Sequence, residues 1–285
     1  MTLCISWIRQ VKNAKELCLI SDSCLSCGDR FYAAPKIFTL KRGDCAFACA
    51  GITNYFYPIA EHIVRVVDLN MPIADRAIDF IDLKHYILDV INKSLFEIKD
   101  VFGYDEIKDC GPDFSMLLCG YSWKLENFRI YQIDYDRKQR KMVARKVGTT
   151  CGQPLGVIGN KESIPKVRYK IFQEIKVKKT MDMEPLKILC EYLDNPQYTT
   201  IGGYPQMIKI YPFMKTLPIG FIHESDGHNK FITYMGRPLL DYETFPYPMY
   251  DLKSGKIKYM KATVNEFKRV HEETSPLDVY YSHKK

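Results

Sequence analysis

The chain has 285 residues, enough for one large domain or two modest ones around a substantial core. Its 46% hydrophobic and 26% charged residues exclude a disordered or fibrous chain. No apolar run approaches a membrane span and the N-terminus lacks the charged-then-apolar layout of a secretory signal, so a cytoplasmic protein without membrane attachment is expected.

In chain order, Leu3 to Arg9 and Leu17 to Asp22 are short runs rich in Leu, Ile, Cys and Trp, separated by a polar stretch, and they predict a buried β-hairpin. Lys36 to Leu40, a turn at Lys41-Arg42-Gly43-Asp44 and the apolar run Cys45 to Ala50 predict a second hairpin, the two together supplying one sheet. After Gly51 the apolar spacing changes to three and four. Two amphipathic helices are therefore expected over Asn54 to Leu69, capped by Thr53 or Asn54, and Asp75 to Val101, with Pro72 between them and one face of the sheet system beneath both.

Strand signals return at Phe114 to Trp123, Phe128 to Tyr135, Met142 to Val147 and in the run ending Leu155-Gly156-Val157-Ile158-Gly159. Ser163 to Lys179 and Glu184 to Leu193 predict helices, with Pro165 and Pro185 in their first turns, and Gln206 to Tyr211 and Phe231 to Met235 the last clear strands. Beyond Gly236 the chain is rich in Pro, Tyr and Lys. Its aromatics point to packing on the body or a neighbour as against a disordered tail, and only Ser282 to Lys285 looks free.

The net charge of +7 is spread over many segments, and the cluster Arg137-Lys138-Gln139-Arg140-Lys141 reads as a solvated hairpin tip, so no nucleic-acid partner is expected. Of the 10 cysteines, Cys4, Cys18, Cys45, Cys49 and Cys119 lie in apolar runs as small hydrophobes. Cys24 and Cys27 have CxxC spacing, but no second pair completes a zinc site. His62 and His85 read as partly exposed helical residues. His223 and His228 flank the polar loop Glu224-Ser225-Asp226-Gly227, which reads as a hairpin turn with a metal loop as the alternative. No phosphate-binding or dinucleotide glycine pattern is present, so no cofactor and no metal are expected.

The chemistry-bearing residues gather at the front. With Met1 removed, Thr2 carries a hydroxyl nucleophile and an α-amine base on one residue. Asp22 follows at the end of the second run, Lys36 at the start of the third and Gly51 after the fourth. Cys4 is a competing nucleophile, but inside a strand it lacks the α-amine base.

This order resembles the N-terminal nucleophile hydrolases of the proteasome β-subunit and bacterial heat-shock peptidase type. Thr2, Ile20-Ser21-Asp22-Ser23 and Lys36 carry the resemblance, continued by Ala50-Gly51-Ile52-Thr53, Leu155 to Asn160 and Thr200-Ile201-Gly202-Gly203. It implies an α+β fold, a four-layer αββα sandwich over residues 1–235, with 236–285 as an extension packed on the body or a partner. It also implies a hydrolase of peptide or amide substrates, assembled as a homo-oligomer. Thr2 Oγ attacks a carbonyl, its amine takes the proton, Lys36 stabilises the alkoxide and lowers the amine pKa, Asp22 orients Lys36, and the Gly51 N–H supports the oxyanion. Where this family commonly has a serine, the chain has Asn160, and where an Asp and a Ser precede the glycine pair it has Tyr198 and Ile201. The amide of Asn160 or the hydroxyls of Thr199 and Thr200 are the substitutes for positioning the amine. The alternative is a non-catalytic subunit or scaffold of the same fold.

Overall fold

The computed structural model describes residues 2–27, 29–97, 111–178, 180–198, 200–224, 230–240, 243 and 245–259. Met1, Gly28, Thr199, the loop 225–229 with His228, the expected helix end at Val101 and the tail from residue 260 lie outside these residues, as does the Cys27 side chain.

The strands before the first helix are β1 (Leu3–Val11), β2 (Ala14–Ser21), β3 (Leu25–Cys27), β4 (Asp29–Phe31), β5 (Ile37–Thr39) and β6 (Cys45–Gly51). Helices α1 (Thr53–Asp68), α2 (Met71–Ala74) and α3 (Phe80–Phe96) follow, then β7 (Phe114–Ser122), β8 (Asn127–Asp136), β9 (Lys141–Lys146), β10 (Thr149–Thr150) and β11 (Gln153–Gly159). Next come α4 (Ser163–Lys178), α5 (Glu184–Asp194), β12 (Gln206–Tyr211), β13 (Lys215–Glu224), β14 (Lys230–Tyr234), β15 (Arg237–Pro238), β16 (Met249–Asp251) and β17 (Lys256–Lys258).

The first hairpin forms as expected, but the two hairpins do not share a sheet. The first joins a ten-stranded sheet ordered β10-β11-β1-β2-β12-β13-β14-β15, with β16 and β17 branching from β13; the second lies in a five-stranded sheet ordered β5-β6-β7-β8-β9. Burial explains the split. Both β2 and β6 are buried along almost their whole length, and a strand buried on both faces needs cover on each side. In β6 the small Ala46, Ala48 and Ala50 meet Cys4, Leu17, Leu19 and Ile208 of the other sheet, while Cys45, Phe47 and Cys49 pack under α1 and α3. Leu3, Ile5 and Trp7 of β1 turn the other way, against α4 and α5.

The expected α+β four-layer αββα sandwich is corrected by these proportions. Strands take 41% and helices 27%, the sheets are mostly antiparallel, and the helices are too few to give clear outer layers. The large sheet continues through β13 to β17, and the sequence reading missed β13 altogether. Its run Lys215 to Glu224 contains Pro218 and Gly220, residue types that weaken a strand signal. Pro218 instead faces Ile208 across the β12 pairing, and β16 lies parallel to β13, with Phe245, Met249 and Tyr250 buried.

The expected cap of α1 is also corrected. The strand β6 runs directly into the helix, Ile52 takes the N-cap position, and no side chain caps it. Arg137 to Arg140 do form the β8 to β9 turn. Among the described residues, no helix is long and apolar enough to cross a membrane, and no group of three His, Cys, Asp or Glu is placed to hold a metal.

Candidate functional site

Where β1 begins, β6 passes into α1 and β11 ends, a cleft of about 560 Å³ opens between the two sheets. Thr2, Cys24, Gly51 and Asn160 line it. Lys36 and Asp22 lie beneath its floor, both fully buried, and Thr2 itself is only 3% exposed.

Lys36 Nζ donates to Thr2 Oγ1 at 2.7 Å, to both Asp22 carboxylate oxygens at 2.9 Å, and to the Cys24 carbonyl. An ammonium has three hydrogens, and this arrangement uses them all, with the carboxylate pair sharing one. Lysine has nothing to accept with, so Thr2 Oγ1 must be the acceptor. Its own hydrogen is thereby turned away from Lys36 and is free for another base.

Asp22 is equally saturated. Oδ1 also accepts from Leu3 N–H at 3.0 Å, and Oδ2 from Cys24 N–H and Gly202 N–H, each at 3.2 Å. A buried ion pair is tolerable only when the remaining lone pairs and hydrogens find partners in this way.

Gly51 is the last residue of β6, at φ +131, and a Cβ there would sit 2.2 Å from the Asp113 carbonyl. Ile52 N–H already bonds Asp113 O at 2.8 Å. Because bonded and non-bonded pairs alternate along an antiparallel ladder, the adjacent Gly51 and Phe114 form a non-bonded pair, and the ladder to β7 does not use the Gly51 N–H. Gly51 and Thr53 both line the cleft at the uncapped start of α1, where backbone dipoles favour negative charge.

Asn160 reaches the site through its backbone. Its N–H donates to Thr2 O at 2.9 Å, while its side-chain Oδ1 accepts from Glu162 N–H at 2.9 Å in the turn that starts α4. The preceding Gly159, at φ +134, approaches so closely that a Cβ would fall 1.8 Å from Thr2 O. Tyr198 stacks on Tyr192 with ring centroids 4.3 Å apart, and Ile201 is buried in the core under α5.

Sequence reasoning overlooked Gln206. Fully buried at the start of β12, it accepts from Lys36 N–H at 3.1 Å and donates from Nε2 to the carbonyls of Asp22 and Ala34 at 3.0 and 2.8 Å. It ties the ends of the segments that carry the ion pair, and the available signal was a lone amide opening an apolar strand. Ser23 does similar work, donating to Tyr32 O at 2.6 Å and accepting from Tyr204 N–H at 2.7 Å.

Cys4 is not equipped as a nucleophile. It is fully buried with Ser21 Oγ 3.2 Å away, and burial pushes its thiol up to about 12. Burial also raises the Cys24 thiol. A larger cavity of about 700 Å³ lies between α5 and the β13, β14 and β16 strands, lined among others by Cys190, Tyr204, His223, Phe231 and Tyr250. None of the five expected site residues lines it.

No family model matches the chain, and no curated protein matches it. Among solved structures it is similar to the Anbu (Gly-1) mutant from Hyphomicrobium sp. strain MC1, at a TM-score of 0.52 and 13% identity, over 76% of this chain and 84% of that one. Anbu is a proteasome-related bacterial protein of the N-terminal nucleophile type. At that identity the likeness concerns the fold alone, and it supports a proteasome-like fold rather than membership of a particular family.

Proposed function

We propose that this chain is a proteasome-like N-terminal threonine hydrolase that cleaves peptide or other amide bonds once Met1 is removed. The observation that carries the reading is the 2.7 Å bond from Lys36 Nζ to Thr2 Oγ1 at the floor of an open cleft. Thr2 Oγ attacks the carbonyl carbon, and its hydrogen passes to the Thr2 α-amine directly or through water. The buried Lys36 charge, held in place by Asp22, stabilises the alkoxide and the developing oxyanion, with the Gly51 N–H as a further donor. The amine then returns the proton to the leaving nitrogen, and water releases the acyl group by the same steps in reverse.

The test is intact mass after native expression, followed by labelling with an electrophile directed at N-terminal nucleophiles. Loss of Met1 and labelling of the wild type but not of Thr2→Ala are expected. Retention of Met1 on the whole population, or equal labelling of both proteins, overturns the assignment.

A second reading is a non-catalytic subunit of an assembly. It is favoured by one observation, that the Asn160 side chain is engaged at the start of α4 instead of reaching toward Thr2. Both readings place the chain in a cytoplasmic homo-oligomer, which light scattering across a concentration series measures. An assembled but unlabelled protein selects the second.

A further inference from the structure

The wall that the five-stranded sheet gives to the cleft carries an electrostatic pattern of its own. Ser115 of β7 and Gln132 of β8 line the cleft. Alternate residues of a strand share a face, so Ser115 goes with Leu117 and Cys119, and Gln132 with Ile130, all turned toward the opposite sheet. Asp134 lies on that same face of β8. Its Oδ1 accepts from Ser115 Oγ at 2.5 Å and its Oδ2 from Gln132 Nε2 at 2.8 Å.

A carboxylate only accepts, which settles the direction of both bonds. Ser115 gives up its single hydroxyl hydrogen, and the Gln132 amide turns its nitrogen inward. The Ser115 oxygen lone pairs and Gln132 Oε1 therefore remain for the cleft, backed by a negative charge that pairs with no cation among the described residues. At the rim stand Asp113, Glu162 and Lys161, and Lys161 is within 3.9 Å of Asp113. Lys36 below is neutralised by Asp22. Arg145, opposite Gln132 on β9, is taken up by Asp136, so in a chain of net charge +7 the wall and rim of the cleft carry an excess of negative charge and of acceptors.

We propose that this cleft selects substrates bearing a cationic side chain, a primary ammonium or a guanidinium, which docks on Ser115 and Gln132 against the Asp134 carboxylate. This rests on the hydrolase reading of Thr2, and it adds the substrate class. A charge-assisted hydrogen bond in a partly desolvated cleft corresponds to a preference of roughly ten- to a hundredfold over an uncharged side chain of similar length. Burying Glu on the same wall incurs repulsion from Asp134.

The experiment uses the full chain and internally quenched peptides that carry Arg, Lys, norleucine or Glu at one position on either side of the cleaved bond. Arg and Lys are expected to exceed norleucine by roughly ten- to a hundredfold in kcat/KM, with Glu lowest, and Asp134→Asn should bring the Arg to norleucine ratio close to one. Equal cleavage of all four, a preference for norleucine or Glu, or an unchanged ratio in Asp134→Asn overturns the proposal and leaves the hydrolase reading standing. In parallel, calorimetric titration of Thr2→Ala with the same peptides reads binding without turnover. If the wild type cleaves nothing but Thr2→Ala still binds the Arg peptide at least tenfold tighter than the Glu peptide, the hydrolase reading falls and the cleft's selection of cations stands. If Thr2→Ala shows no such preference, the selection falls as well.

Discussion

The cleft at Thr2 and the larger cavity under α5 are hollows of comparable size, about 560 and 700 Å³, with opposite ways of handling a titratable group. Beneath the cleft, Lys36 and Asp22 form a fully buried ion pair whose remaining bonding capacity is used by backbone N–H groups, a carbonyl and the Thr2 hydroxyl. At the cavity wall, His223 stacks on Phe231 with centroids 4.8 Å apart, bonds Thr233 Oγ1 at 2.8 Å, and is pushed down to about 3 by burial. One hollow has invested in holding a charge and the other in keeping a ring neutral. Volume therefore favours one hollow and the saturated ion pair the other, and the proposed hydrolase site is the one built on the ion pair.

The largest effect is expected from breaking that pair. Lys36→Met leaves Asp22 buried as a lone carboxylate and should cost about 3–5 kcal/mol in urea unfolding. The double variant Lys36→Met with Asp22→Asn should recover part of the loss, because the stranded charge is gone. If the single variant unfolds within about 1 kcal/mol of wild type, the pair is not held as described.

Next in size is Gln206→Leu, which preserves volume but strips partners from Lys36 N–H and from the Asp22 and Ala34 carbonyls, at about 1–3 kcal/mol. Electrophile labelling of Thr2 should slow along with it, since Asp22 and Lys36 lose their fixed spacing. A stability loss with labelling unchanged would separate Gln206 from the site.

Gln206 also marks where the sequence ceased to be legible. Thr2, Asp22, Lys36 and Gly51 were readable because each ends or begins a run whose periodicity is plain, and the hairpin and helix spacing brings their order out. Gln206 lies 170 residues from the backbone N–H it supports, and only the pairing of β12 with β2 makes them neighbours. Sheet membership was equally hidden: apolar runs on both hairpins announce burial on two faces, but not which strands supply the cover. Besides β5, β6 pairs with β7, more than sixty residues on, and Pro218 interrupts the strand signal of β13.

The cavity gives a smaller, pH-dependent effect. The folded His223 binds its proton far less readily than the ordinary imidazole at 6.5, so the unfolded chain protonates first as pH falls. Its contribution to stability is complete above about pH 6.5 and is lost progressively toward pH 3. His223 is part-exposed on the cavity wall, so solvent tempers the effect to about 1–2 kcal/mol. Denaturant midpoints for wild type and His223→Phe should therefore diverge between pH 7.5 and pH 4.5, the variant losing less on acidification. Parallel curves would show that the ring protonates in place.

The smallest effect completes the contrast with Lys36. Lys253 at the rim of the large cavity also pairs with a carboxylate, donating to Glu224 at 2.7 Å, but its side chain is 69% exposed. Glu224 keeps 19% of its side chain in water and is not sealed in as Asp22 is, so the pair is worth about 0–1 kcal/mol, less at high salt. Lys253→Met should leave the urea midpoint almost unmoved and insensitive to ionic strength, where Lys36→Met moves it in any salt. The two substitutions remove the same ammonium from a bond of the same length to within 0.2 Å. A loss above about 2 kcal/mol for Lys253→Met would mean that desolvation does not separate the two hollows.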